Sequence, residues 1–412
     1  MNFARRSLLS GLPLLAGARF AKASQINDLQ AELEKAIQGD GVLRLPAGSF
    51  NVSALKITGP VRLEGVSERT KLVSPGSSPV LLIENARGVT LSGLIFDGGE
   101  TLAHNANGLV IEGCSFTNSK TSGLRMESCS GRVTGNRFSN IAQTALFARD
   151  SRGLEVSGNH IHDIGNNGIQ IWTSEKAEDG SIVCNNRIER IAATNGGTGE
   201  NGNGINVYKA GNVIVSGNRI GDCAFSAIRN NSGSNCQITG NSISRTGEVA
   251  IYCEFAFEGA VVSNNLIEDV AFGISITNFN EGGRLAVVAN NLVRKAKGGG
   301  SLPHTSAVGI AAEADTQIIG NVVEDAAETG INLGWGKYCR NLAATGNTIR
   351  NCGRGIAFSL SEGSGPVMIT GNRIAGARTA IQGMNHEEPV TVDLAGTAAA
   401  IPAGSLITGN LA

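Results

Sequence analysis

The chain has 412 residues, 56 of them glycine, with aromatic residues at only 4%, and its 34 basic and 35 acidic side chains leave a formal net charge of -1. Glycine at about twice its average share of ~7%, with so few aromatics, suits tight turns and thin layers better than a bulky globular core. The charge balance gives no electrostatic footing for nucleic acid or an anionic membrane, so neither partner is expected, and eight cysteines with no C-x-x-C spacing are expected to be buried free thiols, not disulfides or a zinc site.

Residues 1–23 read as an export signal: Arg5-Arg6-Ser-Leu8-Leu9, an apolar run to Ala18, then Ala21-Lys-Ala23 as a small-x-small cleavage site. Twin arginines followed by leucine match the Tat pattern, with Ala4 in place of the usual Ser or Thr; a Sec signal is the alternative. The run is broken by Gly11 and Pro13 and is too short for a permanent membrane anchor. A periplasmic or secreted location follows, with the Tat machinery as the precursor's partner. Tat carries folded cargo, which agrees with cysteines buried before they meet an oxidising compartment.

Residues 24–88 are expected to form an N-terminal cap and the first rungs. Ile26, Leu29, Leu33, Ala36 and Ile37 fall at helical spacing, predicting a short amphipathic helix from Ile26 to Ile37 that covers an otherwise open strand edge. Short strands follow at Val42–Leu45, Phe50–Val52, Leu55–Ile57, Val61–Leu63 and Leu72-Val73.

From about 89 to 384 a two-part unit recurs. Its first half, [Val/Ile]-x-[Gly/Asn]-Asn-x-[Ile/Val/Phe], centres on Asn136, Asn159, Asn186, Asn218, Asn241, Asn265, Asn291, Asn321, Asn347, Asn372 and Asn410. Its second half is a small residue followed by Leu/Ile-x-apolar, as in Gly168-Ile-Gln-Ile171 and Gly204-Ile-Asn-Val207. Spacings start at 23 residues, as from Asn136 to Asn159, and lengthen only by insertion, the period range of solenoids. Within each unit apolar and polar residues alternate, the period of short strands with one buried face. The Gly or Asn before each central Asn suits a left-handed turn, and stacking would align the Asn side chains in a ladder. The fold expected is therefore all-β, a right-handed parallel β-helix with a short N-terminal capping helix. Insertions at 173–181, 192–203 and 295–307 interrupt it, the last two from the same edge, and 385–412 are expected to supply C-terminal strands and a cap.

The Gly-Asn-x-Ile and Gly-Ile-x-Ile pairs resemble those of the pectate-lyase-like superfamily of parallel β-helix proteins. With its twin-arginine N-terminus the chain looks most like a family of Tat-translocated repeat proteins. The resemblance implies the fold but not a chemistry, since one fold hosts many. The Asp-Asp and Gly-His-Gly motifs of the polygalacturonases are absent from the sequence, as is a Ca²⁺-ligating carboxylate cluster like that of the pectate lyases. No cofactor or metal is expected.

Outward positions of the second strands form two columns, one running Arg125, Phe147, Gln170, Asn206, Arg229, Tyr252 and the other Glu127, Arg149, Trp172, Tyr208, Asn231, Glu254. Beyond residue 254 the same positions, Glu313 excepted, turn small and neutral. Aromatic faces stack on sugar rings while Arg and Asn hold hydroxyls and carboxylates, so Arg125, Glu127, Arg149, Gln170, Trp172, Asn206, Asn231 and Glu254 are the candidate substrate-binding residues. The alternative is a solvated solenoid surface. Glu127 and Glu254, five rungs or roughly 24 Å apart at ~4.8 Å per rung, are too distant for the carboxylate pair of a hydrolase. The remaining candidate chemistry is proton abstraction beside a uronate carboxylate, with Arg229 neutralising the carboxylate, Arg229 and Lys209 activating Tyr208 as base, and Tyr252 or a histidine as acid. The expected function is binding of an acidic polysaccharide, with cleavage by β-elimination or epimerisation as its candidate reaction and a non-catalytic envelope scaffold or glycan-binding protein as the alternative. His160 and His162 face out together but read as polar surface, and His104 and His304 are placed in loops.

Overall fold

A computed structural model describes residues 28–74, 79–395 and 401–412. The export signal expected over 1–23, and Ile26 with it, lie outside these residues.

Three sheets of 15, 14 and 15 strands run the length of the described chain as a β-solenoid, parallel throughout except for the two-residue strand Glu388–Pro389 that ends the third antiparallel to Thr379–Asn385. Sheet A begins with Val42–Arg44, sheet B with Gly48–Asn51 and sheet C with Leu55–Ile57, and each turn visits them in that order. At ~4.8 Å per rung the stack is roughly 65 Å long. Pairing is in register from Val42 onward, well before the repeat becomes legible near residue 89. The early rungs use the same alternation but lack the Asn, so their register is carried by apolar residues such as Leu63 and Leu91 alone. His104 accordingly ends a sheet C strand, Thr101–His104, and does not sit in a loop.

Sheets A and B meet at a tight corner, where Gly158 (φ 65°) and Asn185 (φ 56°) occupy the left-handed conformation that glycine and asparagine tolerate best. The next residue is the repeated Asn, and these side chains form a continuous buried ladder. From Asn136 to Asn372 each Nδ2 donates to the Oδ1 of the next Asn at 2.9–3.0 Å. Each also donates to a backbone carbonyl of the rung before, as Asn241 does to Val215, so the corner's buried polar groups are satisfied without water. Phe96, Phe116 and Phe138 stack in the core at 4.9 and 4.7 Å between centroids.

The capping helix spans Leu29–Gln38, with Asp28 as its N-cap, and buries Leu33 and Ala36 on the first rung. Gln30 completes the cover by imitating a strand: its amide donates to the Lys56 carbonyl at 3.1 Å and accepts from the Lys56 N–H at 2.8 Å. At the other end residues 388–394 turn back on the last sheet C strand, Thr379–Asn385. Asp393 accepts there from the N–H groups of Ala380 and Ile381. A last sheet A strand, Leu406–Thr408, follows, and Asn410 closes the ladder. All eight cysteines are free, seven of them buried. Burial pushes the Cys223 and Cys253 thiols up to about 12, so they act as small apolar side chains.

Candidate functional site

The sheet C register brings Arg125, Phe147, Gln170, Asn206, Arg229 and Tyr252 onto six successive rungs, and Glu127, Arg149, Trp172, Tyr208, Asn231 and Glu254 beside them. These residues point away from the core, yet Gln170, Asn206, Arg229 and Glu254 are only 2–8% exposed. Walls on both edges of the face explain this. On the B-to-C side, Asn195 of the first insertion reaches back to Gln143 at 2.7 Å, and the Gly199 carbonyl accepts from Arg229 Nη1 at 2.8 Å. The 295–307 insertion folds back along the same corner, where the Ser301 N–H donates to the Gly247 carbonyl at 2.8 Å and its hydroxyl to that of Ala224. On the C-to-A side the segment expected as an insertion at 173–181 instead extends the strand Asn167–Glu178, with a register break between Trp172 and Ala177. Lys176 there donates to the Ala256 carbonyl at 2.6 Å, and Lys209 to that of Ser174 at 3.2 Å. The face is a trough.

Its middle is aromatic. Phe147 meets Trp172 edge-on at 5.1 Å, and Trp172 meets Tyr208 at 5.2 Å. Trp172 Nε1 and Asn206 Oδ1 are buried in this stretch without a hydrogen-bond partner among the described residues. Native buried polar atoms rarely go unpaired, and Thr173 Oγ1, next to Trp172, is unpaired as well.

The two ends carry opposite charge. At one, the Arg125 and Arg149 guanidiniums share the Glu127 carboxylate at 2.8 and 3.0 Å. Burial there raises the Glu127 pKa, but Arg125 and then Arg149 outweigh it and hold it low. At the other, two carboxylates share one guanidinium. Arg229 Nε and Nη2 grip Glu254 at 2.6 and 3.0 Å while Nη1 reaches Glu248 at 3.2 Å. Burial opposes the Arg229 charge, and the two carboxylates restore it. Burial also raises the Glu248 carboxyl, with Arg229 opposing, and raises the Tyr252 phenol, which Glu254 and Glu248 push further.

This arrangement bears on the roles expected from the sequence. Every polar nitrogen of Arg229 is directed at Glu254, Glu248 or Gly199, and its guanidinium lies 5.1 Å from the centre of the Tyr252 ring. Four of its five N–H groups are thereby engaged, which leaves one Nη2–H for a uronate carboxylate. Lys209 lies 5.3 Å from the centre of the Tyr208 ring, with its ammonium tied to Ser174. Tyr208, Lys209, Arg229 and Tyr252 are thus neighbours, but Arg229 is committed to protein carboxylates.

Sequence reasoning missed Glu248, and with it a buried polar run at the B-to-C corner. Asn203 donates to Asn167 at 3.2 Å, Ser226 N–H to Asn203 at 3.3 Å, and Ser226 Oγ to Glu248 at 2.8 Å. A signal existed: Thr144, Asn167, Asn203 and Ser226 each precede the small residue that opens a second strand. A second aromatic group, Phe279, Trp335, Tyr338 and His386, also went unseen because it stands in C-to-A loops and not in the columns.

Residues 67–188 and 177–313 match the right-handed β-helix region family. No curated protein matches the sequence. Among solved structures, the surface adhesin PfbA of Streptococcus pneumoniae aligns at 15% identity over 88% of this chain and 91% of its own, with a TM-score of 0.50. An alginate lyase, AlyF-OU02, aligns at 15% identity over 90% and 84%, with a TM-score of 0.48. The catalytic domain of a GH87 α-1,3-glucanase aligns at 13% identity over 98% and 70%, with a TM-score of 0.47. Likeness at these identities is likeness of fold.

Proposed function

The chain belongs to the right-handed β-helix family, and from that premise we propose that it holds an extended polysaccharide along the sheet C trough. The observation that carries this reading is the aromatic run Phe147, Trp172, Tyr208 on a walled floor, beside the unpaired polar atoms of Trp172 and Asn206. Sugars present apolar ring faces and hydroxyls together, which is what such a floor complements. An acidic chain would meet the Arg125 and Arg149 end, where two cations share one carboxylate. In this reading Arg5 and Arg6 send the folded precursor through the Tat machinery, and the protein works in the periplasm or outside the cell.

Titration with a polysaccharide selected on a glycan array tests the trough. Trp172→Ala should weaken binding about tenfold, on the order of 1.4 kcal/mol. It should also lower the melting temperature slightly, since the ring packs on both Phe147 and Tyr208. Unchanged affinity would remove the glycan from this face.

One observation favours a catalytic reading: Glu248, Glu254 and Tyr252 converge on Arg229 at the trough's negative end. An enzyme would lose turnover but keep affinity in Glu248→Gln or Tyr208→Phe, whereas a binding protein has no turnover to lose.

A further inference from the structure

Sheet B carries a second feature that neither the fold nor the trough uses. Arg137, His160, Arg187 and Arg219 occupy one outward column on four successive rungs. Cations stacked at ~4.8 Å repel one another, which lowers stability unless something compensates. In the neighbouring column the same rungs hold Ser139, His162, Glu189 and Gly221. Glu189 is committed three ways, to Arg187 at 3.3 Å, Arg190 at 3.1 Å and His160 at 3.4 Å. The other nearby carboxylates, Asp163 and Asp222, are gripped by Arg190 and Arg245. Arg137 and Arg219 therefore stand exposed with no ion-pair partner among the described residues. This strip is positive on a chain whose net charge is -1.

At its end the surface is notched. Gly221 lies inside the strand Arg219–Cys223 with no positive φ, so the position needs glycine's missing side chain and not its backbone freedom. A Cβ there would come within 2.9 Å of Arg245 Nη2 and 3.3 Å of Ser244 Oγ. The close approach that this strand glycine permits is that of the Arg245 guanidinium, which lies over it and forms one wall of the notch. The gap opens a cavity of about 360 Å³, lined among others by Arg187, Arg219, Ser242, Ser244, Arg245 and Glu268. Arg245 is fixed by Asp222 at 2.6 and 2.8 Å and donates to Ser244 at 2.9 Å, so the notch is preformed.

We propose that this strip is a separate site for the anionic groups of an acidic polysaccharide, with one carboxylate or sulfate seated at the Gly221 notch against Arg219 and the chain continuing over Arg187 toward Arg137. The proposal borrows the class of polymer from the trough reading but none of its residues. Guanidiniums recognise carboxylate and sulfate alike, and the Ser242 and Ser244 hydroxyls and the Glu268 carboxylate offer partners for sugar hydroxyls. A nucleic-acid strand fits less well: the column spans only ~14 Å, with no Phe, Tyr or Trp beside it among the described residues for bases to stack on.

The test uses the full mature chain, with sodium polygalacturonate, dextran sulfate, neutral dextran and single-stranded DNA as probes at low and high salt. The expected result is salt-dependent binding of polygalacturonate or dextran sulfate that falls at least tenfold in Arg137→Gln/Arg219→Gln. Which polymer responds identifies the anion. Gly221→Ser should weaken the same binding by displacing Arg245 from the notch, with a slightly lower melting temperature, whereas the arginine double variant changes exposed positions and should leave the melting curve unaltered as the check on folding. Trp172→Ala should leave intact the component that depends on Arg137 and Arg219, so loss of the trough and loss of the strip are told apart. Unchanged binding of both acidic polymers in the double variant would overturn the proposal, as would tighter binding of DNA than of either polymer with the same arginine dependence.

Discussion

Replacing Asn241 with leucine should cost about 2–6 kcal/mol, because it strands a buried N–H at Asn218 and a buried carbonyl at Val215, each worth ~1–3 kcal/mol when left unpaired. Asn241 Oδ1 accepts from both the backbone and the side chain of Asn218, and its Nδ2 donates to Val215 and Asn265. Leucine fills a similar volume but supplies none of these. A solenoid is held by contacts between neighbouring rungs, so a break in mid-array divides it into two blocks. Urea unfolding should accordingly lose its single transition, and amide exchange should accelerate around residues 218–265 before it does elsewhere. Asn410→Leu, at the end of the ladder, should cost less, since no rung follows it. Equal destabilisation at the two positions would show that the ladder is not what couples the rungs.

Ile171→Asp should be comparably severe. Ile171 is fully buried in a thin rung, and an aspartate there has no cation or donor to meet, so it should cost about 4 kcal/mol or more. The matched control is Ile319→Asp. Ile319 is 44% exposed on sheet A between Ala289 and Thr345, where a carboxylate meets water and no like charge. Its melting temperature should hardly move. Gln170, one residue from Ile171, would be a poor control: it points outward but is covered and accepts from Thr144 at 2.9 Å.

The contrast between Gln170 and Ile319 shows where the sequence was legible. Period-2 alternation assigns a side chain to one face of a strand, and the register followed it rung by rung from Arg125 to Ala357. The Asn repeat likewise announced its own ladder, since only stacked copies can satisfy a buried amide at every turn. Whether an outward residue meets water depends on loops, and loop paths carry no period. Thus Gln170, Asn206, Arg229 and Glu254 could be placed on sheet C from the sequence, while the walls that bury them could not. Partner choice was hidden for the same reason. Arg229 meets Gly199 only because the 192–203 segment folds over the next rung, and Glu248, which reaches Arg229 from the following rung, lies outside the repeated frame that drew attention to the columns.

The chain contains two tryptophans, Trp172 and Trp335, and this permits a direct test of the trough. Trp335→Phe removes the exposed ring near His386 and leaves Trp172 as the single indole, packed between Phe147 and Tyr208. Titrating that variant with the polysaccharide selected by array, and following tryptophan emission, reports on the proposed floor alone. The account predicts a saturable change in emission whose midpoint equals the dissociation constant measured independently by calorimetry. Calorimetric binding with Trp172 emission unchanged would contradict it and place the glycan elsewhere on the rod.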